Sequence, residues 1–245
     1  MTEQSPPPLL PVDESWSSAL AIVAHPDDLE YGTAAAVARW TDQGKRVSYL
    51  LATSGEAGID GMDPAEVGPL REDEERAGAA IVGVDTVEFL GYPDGVLEYS
   101  LGLRRDIARA VRRHRPDVVI TGNYEERWAP GMLNQADHIA LGRAVVDGVR
   151  DGANRWVFRE LLDEGLEPWS AKTVLVSSGT HAQHGVDVSD HFAKGVQSLE
   201  AHAAYLRGLG DHAMADPGEF LESFARQVGA RLGAKFGVAF EVINF

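Results

Sequence analysis

The stretch Ala19-Leu20-Ala21-Ile22-Val23-Ala24-His25-Pro26-Asp27-Asp28 carries an apolar run directly into three ionisable side chains. Pro26 lacks a backbone N–H and disfavours helix at the residue before it, so His25 is expected to end an extended segment. In an open α/β sheet, ligands bind at the carboxyl ends of the strands. Because an imidazole and two carboxylates are costly to bury together without a partner, the stretch predicts a bound cation at this strand end.

The composition narrows the class of protein. The chain has 245 residues, 44% of them hydrophobic, with a mean hydropathy of −0.18, which is typical of one globular α/β domain. A net charge of −16 argues against nucleic acid and anionic membrane surfaces as partners. There is no cysteine, so any metal must be held by His, Asp, Glu or water.

Residues 1–14 are polar and rich in proline, and we expect a disordered or extended lead-in to a single domain over residues 15–245. An arm lying over a neighbouring subunit is the alternative, which leaves a homo-oligomer open. No apolar run approaches the ~20 residues of a membrane span. The beginning of the chain lacks the basic start and apolar core of a signal peptide, so we predict a cytoplasmic protein.

Apolar runs and helical periodicity alternate along the chain. This cadence predicts an α/β fold with a mostly parallel central sheet and helices on both faces. The pattern does not fix the strand order. The predicted strands are 19–24, 46–52, 86–90, 117–121, 173–177 and 238–243, and the predicted helices are 32–43, 69–83, 101–114, 134–149, 190–209 and 220–232.

The motif at the first strand end has two interpretations. His25 and Asp28 are close enough in sequence to share one ion, which leaves the adjacent Asp27 free as a base beside metal-bound water. Alternatively, the aspartates only cap the following helix. Capping accounts for one aspartate, but not for a histidine and two aspartates together.

A catalytic zinc site needs about three protein ligands and an open position, so a third ligand must come from elsewhere in the chain. Among the eight histidines, His138 is the best candidate, because Asp137-His138 opens the helix after the fourth predicted strand. We expect that strand to neighbour the first at a switch point of the sheet. His184, after the fifth strand, could also reach the site. For His202, packing or exposure is the expected role.

Several motifs in order resemble one known family: His25-Pro26-Asp27-Asp28, Thr53-Ser54-Gly55-Glu56, Arg71, Pro93-Asp94-Gly95 and Asp137-His138. The chain resembles the PIG-L/LmbE-like metal-dependent N-acetylglucosaminyl deacetylases, which are related to the mycothiol-pathway deacetylase and amidase. The resemblance implies a Rossmann-like three-layer sandwich and one divalent metal per chain, usually Zn²⁺, with other divalent ions also accommodated. It further implies a small-molecule N-acylated substrate.

The resemblance also implies roles for individual residues. It makes His25, Asp28 and His138 the metal ligands, Asp27 the general base, and Asp137 a residue that orients a neighbouring imidazole or shapes the site. It matches Arg71 and Asp94 to positions that bind the sugar-like part of the substrate. Glu56 and Trp128, on strand-end loops, are expected to wall the pocket.

The chain departs from the family at Gln135-Ala136-Asp137-His138, where relatives often have His-Pro-Asp-His. Gln135 can donate a hydrogen bond to an oxyanion but cannot deliver a proton to a leaving amine. The acid role would then fall to Asp27 once it is protonated, or to His184.

Together with this resemblance, the sequence predicts a zinc-dependent hydrolase that cleaves an amide by metal-activated water, with Asp27 as general base. The implied reaction is the N-deacetylation of an N-acetylglucosamine-type or related small molecule. The alternative is a degenerate, non-catalytic member that acts as a small-molecule-binding module. A nucleotide-binding module is disfavoured, because no Gly-x-Gly-x-x-Gly follows the first strand.

Overall fold

The computed structural model describes residues 7–129 and 131–245. Eight of its strands form one sheet in the order β1-β9-β10-β8-β5-β2-β3-β4. The strands are β1 (Leu10–Pro11), β2 (Ser18–Val23), β3 (Arg46–Leu51), β4 (Thr86–Phe89), β5 (Val118–Thr121), β6 (Arg127–Ala129), β7 (Met132–Leu133), β8 (Thr173–Ser177), β9 (His184–Asp187) and β10 (Gly237–Asn244). The helices are α1 (Asp28–Gly32), α2 (Ala34–Asp42), α3 (Pro64–Ile81), α4 (Leu101–His114), α5 (Ala136–Ala153), α6 (Glu160–Asp163), α7 (Phe192–Glu200), α8 (Ala203–Gly208) and α9 (Pro217–Leu232).

Strand β2 is the point at which the strand order reverses. It pairs in parallel with β3 on one side and with β5 on the other. The chain runs outward from β2 through β3 to β4, then returns past β2 to β5. The predicted neighbourhood of the first and fourth predicted strands is therefore confirmed, and the switch point of the sheet lies at β2.

Both faces of β2 are buried, which explains its continuous apolar sequence. Leu20 and Ile22 pack into a core with residues of α4 and α5 on one face. Ala21 and Val23 pack on the other face into a core that includes Trp40 of α2. Burial of each large apolar side chain stabilises the fold by about 1.5–3 kcal/mol. The strand that precedes His25–Asp28 is therefore well anchored in the core.

The sheet is mostly parallel, as predicted, and β10 is the exception. It pairs antiparallel with both β8 and β9. The fold class predicted from the sequence is confirmed: an α/β sandwich with helices on both sides of the sheet.

Some predicted boundaries were wrong. The helix predicted at 69–83 begins five residues earlier, where the Asp63 side chain accepts a hydrogen bond from Ala65 N and Pro64 fills the first helical position. The helix predicted at 190–209 is broken near His202 into α7 and α8. Strand β9 was not predicted.

The described part of the predicted lead-in, residues 7–14, joins the sheet edge. Leu10 and Pro11 pair with β9, Leu9 and Val12 are buried, and Glu14 binds the Arg39 guanidinium. The rest of the lead-in lies outside the described residues. Within the described ranges, no helix combines the length and apolar character needed to cross a bilayer.

Candidate active site

Segments that follow β2, β3, β4 and β5 meet at the reversal point of the sheet. The segment after β2 supplies His25, Asp27 and Asp28, and the one after β4 supplies Asp94. The segment after β5 ends in α5, which begins near Asp137 and His138. Residues more than a hundred positions apart are thereby brought within hydrogen-bonding distance.

Three predicted metal ligands form one compact group. The His25 Nδ1 atom lies 3.2 Å from His138 Nε2. Asp28 Oδ1 lies 3.0 Å from His138 Nε2, and Asp28 Oδ2 lies 3.6 Å from His25 Nδ1. At zinc–ligand distances of about 2.0–2.2 Å, two ligands of a tetrahedral ion lie about 3.4 Å apart. The three side chains therefore fit a single divalent ion.

Hydrogen bonds to the outer ring nitrogens prepare both imidazoles for this role. His25 Nε2 lies 3.3 Å from Asp137 Oδ2 and 3.0 Å from Asp94 Oδ1. His138 Nδ1 lies 2.9 Å from Asn134 Oδ1. An N–H on each of these outer nitrogens leaves His25 Nδ1 and His138 Nε2 with lone pairs facing Asp28, which is the tautomer that a metal requires.

Asp28 faces both the strand end and the imidazoles. The backbone N–H groups of Ala24 and His25 donate to its Oδ2 atom at 3.1 and 2.9 Å. Its Oδ1 atom is directed at His138. This geometry differs from the capping alternative, because Asp28 binds backbone N–H groups that precede α1 rather than those inside it.

Asp27 stands at the N-cap position of α1, but its side chain makes no capping hydrogen bond. Its backbone is left-handed, with φ 95° and ψ −21°, a conformation that costs a residue other than glycine about 1–3 kcal/mol. Its Oδ2 atom lies 3.1 Å from Arg71 Nη2. Arg71 also donates to the backbone carbonyls of Pro26 and Gly55. The Asp27 carboxylate is thus turned away from the helix and fixed by an arginine.

The site strongly favours positive charge. Burial lowers the pKa of His25, but the Asp137, Asp28 and Asp94 carboxylates outweigh it and raise that pKa to about 12. Burial raises the pKa of Asp28, yet the two imidazoles hold it well below its usual range. A divalent cation can supply in one ion the charge that protons on the imidazoles otherwise provide.

The residues predicted to contact substrate have partners within the protein. Arg71 is only 2% exposed and is bound to the Asp27 segment. The Asp94 Oδ2 atom accepts from Ala57 N, and Asp94 N donates to Glu56 Oε1. Trp128 is partly exposed, and its ring meets that of His138 edge to face at 5.6 Å. Trp128 therefore lies against His138, whereas Arg71, Asp94 and Glu56 are bound to other parts of the protein.

Two further predicted residues lie in different positions. Gln135 is exposed at the N-cap of α5, three residues before His138 in the chain. His184 lies in β9, which three strands (β10, β8 and β5) separate from β2. With strands about 4.8 Å apart, His184 is too distant to replace the missing histidine.

Sequence reasoning did not identify Asn134 and Glu75. Asn134 is buried, and its side chain binds both His138 and the loop after β5, donating to the carbonyls of Asn123 and Glu125. Glu75 is fully buried and accepts a hydrogen bond from Asp27 N. Asn134 directly precedes the Gln135–His138 motif, and this position could have indicated that its side chain contacts His138. Nothing local distinguishes Glu75 from the other acids of α3.

The fold and the site define a class of protein: an α/β domain with a candidate mononuclear site of two histidines and one aspartate at its switch point. The family model PIG-L, described as GlcNAc-PI de-N-acetylase, matches residues 20–149, just over half of the chain. The chain belongs to this family.

Named relatives agree with this membership. The chain is 30% identical over 185 residues to a diacetylchitobiose deacetylase of Thermococcus kodakarensis, covering 75% of this chain and 68% of that protein. It is 29% identical over 181 residues to a 1D-myo-inositol 2-acetamido-2-deoxy-alpha-D-glucopyranoside deacetylase of Saccharopolyspora erythraea, covering 63% of each. These relatives are deacetylases, and thus hydrolases.

A solved structure shows the same fold. The N,N'-diacetylchitobiose deacetylase of Pyrococcus horikoshii superposes with a TM-score of 0.85 over 94% of this chain and 85% of that one, at 24% identity. The architecture therefore extends well beyond the residues matched by the family model.

Proposed function

We propose that this protein is a metal-dependent amide hydrolase that removes the acyl group from a small N-acylated amino sugar. The observation that carries the proposal is the group His25, Asp28 and His138, with Asp27 adjacent to Asp28 in the chain and its carboxylate held by Arg71. The relatives named as deacetylases of acetylated sugars support the substrate class.

We assign one divalent metal to His25 Nδ1, Asp28 Oδ1 and His138 Nε2. Zinc is the first choice, although two imidazoles and a carboxylate also accept other divalent ions. When bound, such an ion supplies a water of lowered pKa and polarises the acyl carbonyl. Asp137 and Asn134 hold the two imidazoles in the required orientation.

Asp27 is the proposed general base. Its side chain is 8% exposed and its ion pair with Arg71 fixes the carboxylate. It accepts a proton from the attacking water while the C–O bond forms. When the C–N bond breaks, Asp27 returns that proton to the leaving nitrogen, so acetate and a free amine are released and the carboxylate is restored.

Gln135 and Trp128 complete the proposed site. Gln135 replaces the usual histidine with a neutral donor for the oxyanion of the tetrahedral adduct. Trp128, packed against His138, forms one wall for the sugar. We propose a cytoplasmic protein, as the sequence predicts, and leave its assembly as a homo-oligomer to measurement.

The test combines metal analysis with an assay of amine release from N-acetylglucosamine and diacetylchitobiose. We expect about one ion per chain, loss of activity on chelation, and recovery on addition of zinc, cobalt or iron. Asp27→Asn should keep the ion and lose at least about 100-fold in kcat. The control is His181→Ala, at an exposed position. Unmetallated protein with full activity, or an Asp27→Asn rate within a fewfold of wild type, would contradict the proposal.

A further inference from the structure

Behind the candidate site lies a second group of ionisable side chains that the proposed reaction does not use. Glu30 of α1 is 2% exposed, and Glu75 of α3 and His202, which precedes α8, are 0% exposed. We call Glu30, Glu75 and His202 the buried cluster.

The members of the buried cluster do not hydrogen-bond one another directly. His202 Nε2 lies 3.7 Å from Glu30 Oε2 and 3.7 Å from Glu75 Oε2, which is beyond hydrogen-bonding distance. Glu30 Oε1 accepts from the Ser198 hydroxyl at 3.1 Å. Glu75 Oε2 accepts from Asp27 N at 3.1 Å. That last bond ties the buried cluster directly to the backbone of the proposed base.

The bond is made at a strained residue. Asp27 is one of four residues other than glycine with positive φ in the described part of the chain. Its N–H points into the protein, where Glu75 Oε2 accepts it, while its carboxylate points to Arg71. If Glu75 were not an acceptor, this buried N–H would be left unpaired, which costs free energy. The left-handed backbone of Asp27 would also lose the hydrogen bond that stabilises it.

Glu75 and Arg71 act on Asp27 from the same helix. They are four residues apart in α3, so they lie on one face one turn apart. Arg71 holds the carboxylate and the preceding carbonyl of Pro26, and Glu75 holds the backbone N–H. One helix turn therefore fixes both ends of the proposed base.

We infer that Glu75 is a positioning residue for Asp27: by accepting its backbone N–H inside the buried cluster, it keeps Asp27 left-handed and its carboxylate against Arg71. Glu30 and His202 enclose the Glu75 carboxyl and keep water from competing for the bond. The inference rests on the proposed role of Asp27 as base and adds the residue that orients it.

Three substitutions of Glu75 test this inference. Glu75→Gln keeps a carbonyl oxygen at the same reach and should stay within about fivefold of the wild-type kcat. Glu75→Asp withdraws the acceptor by one methylene, and Glu75→Met removes it at similar volume. Both should lose at least about 30-fold in kcat, with KM and metal content within twofold of wild type. A crystal structure of Glu75→Asp should show that Asp27 has left the positive-φ region.

Two controls separate this inference from others. Asp151→Asn removes a buried carboxylate that pairs with Arg104 away from the site, and it should lower stability without changing kcat. Asp27→Asn is measured in parallel: if it stays active, the proposed base is wrong, whereas an inactive Asp27→Asn beside a fully active Glu75→Asp and Glu75→Met overturns only the positioning role.

Two further outcomes would overturn the inference. If Glu75→Gln is as impaired as Glu75→Met, the carbonyl acceptor is not what matters. A second equivalent of metal per chain that Glu75→Gln abolishes would assign the buried cluster to an ion instead. If Glu75→Met does not fold, the comparison of Glu75→Asp with Glu75→Gln decides the matter.

Discussion

Two groups of histidine and carboxylate lie on either side of Asp27, and their surroundings differ. In the metal-ligand group, His138 and His25 each have a partner on the outer ring nitrogen, and the facing atoms are 3.0–3.6 Å apart. In the buried cluster, neither ring nitrogen of His202 has a hydrogen-bond partner in the described residues. Within the described part of the chain, the same side-chain types thus have hydrogen-bonded imidazoles in the proposed ligand set and an imidazole without hydrogen bonds in the buried cluster. The difference lies in the surrounding hydrogen bonds, which fix the tautomers of His25 and His138 but not that of His202.

The largest expected difference between the two groups is in metal binding. His138→Gln should no longer bind the ion, because an imidazole ligand is removed, and its activity should fall by at least about 1000-fold. His202→Gln should retain one ion per chain, as measured by elemental analysis of the purified variants. Equal metal loss in both variants would show that the two groups are not distinct.

The outer hydrogen bond to His138 should have a smaller effect. Asn134→Ala removes the acceptor on His138 Nδ1 and is expected to weaken metal affinity by about 10–100-fold. Competition with a fluorescent chelator measures this directly. Asn123→Ala is a useful comparison, since Asn123 binds Asn134 only through its backbone carbonyl. An unchanged affinity in Asn134→Ala would contradict the assignment of His138 Nε2 as the metal-facing atom.

We expect the His202 imidazole of the buried cluster to affect how the stability of the protein depends on pH. Burial, followed by the charge of Arg71, lowers the pKa of His202 to about 3. The unfolded chain binds a proton at His202 near pH 6.5 while the folded chain does not, so this residue reduces stability as the pH falls. Between about pH 6 and pH 4, wild type should lose about 1.4 kcal/mol per pH unit more than His202→Gln.

Urea denaturation across that range measures the difference between the two proteins. The charged or ionisable groups that face His202 are Glu30, Glu75 and Arg71, and all three are present in both proteins. Identical slopes for wild type and His202→Gln would mean that the imidazole is protonated in the folded state.

The smallest expected effect concerns packing around the buried cluster. A Cβ added at Gly78 would lie 2.9 Å from the Ser198 carbonyl oxygen and 3.3 Å from His202 Nε2. Gly78→Ala should therefore lower stability by about 1–3 kcal/mol through overpacking, with unchanged metal content. Thermal unfolding measures the loss, and Gly61→Ala, where a Cβ meets no atom within 4 Å, is the matched control. A stability equal to that of the control would indicate a looser cluster.

The sequence predicted that His25, Asp28 and His138 lie together because each of them stands beside a strong local signal. Pro26 marks the end of β2, and Asp137-His138 opens α5 after an apolar strand. The boundaries of α4 and β8 were also predicted, since Ser100 caps α4 and β8 is a short β-branched run. These features depend on neighbours in the chain.

The missed features depend on contacts between distant segments. The break between α7 and α8 places His202 against Glu30 and Glu75, and no periodicity signals it. Glu75 resembles its exposed neighbours in a charged helix, and only the approach of α3 to Asp27 turns it inward. Arg71 was predicted to bind substrate, but its burial against Asp27 was not predicted. Strand β9 needs β1 and β10 on either side of it, which local sequence cannot reveal.

Asp137 links the proposed metal site to the loop that follows β4. Its Oδ2 atom faces His25 and accepts from Gly95 N, and its Oδ1 atom accepts from Leu97 N. If an ion binds at the proposed site, we expect a ligand that prefers one arrangement of this loop to change the affinity of His25 for the ion, and the ion to change the affinity for that ligand by the same factor. Metal titrations with and without a bound amino sugar would measure this reciprocal coupling. Equal metal affinities in the two titrations would show that the sugar and the ion bind independently.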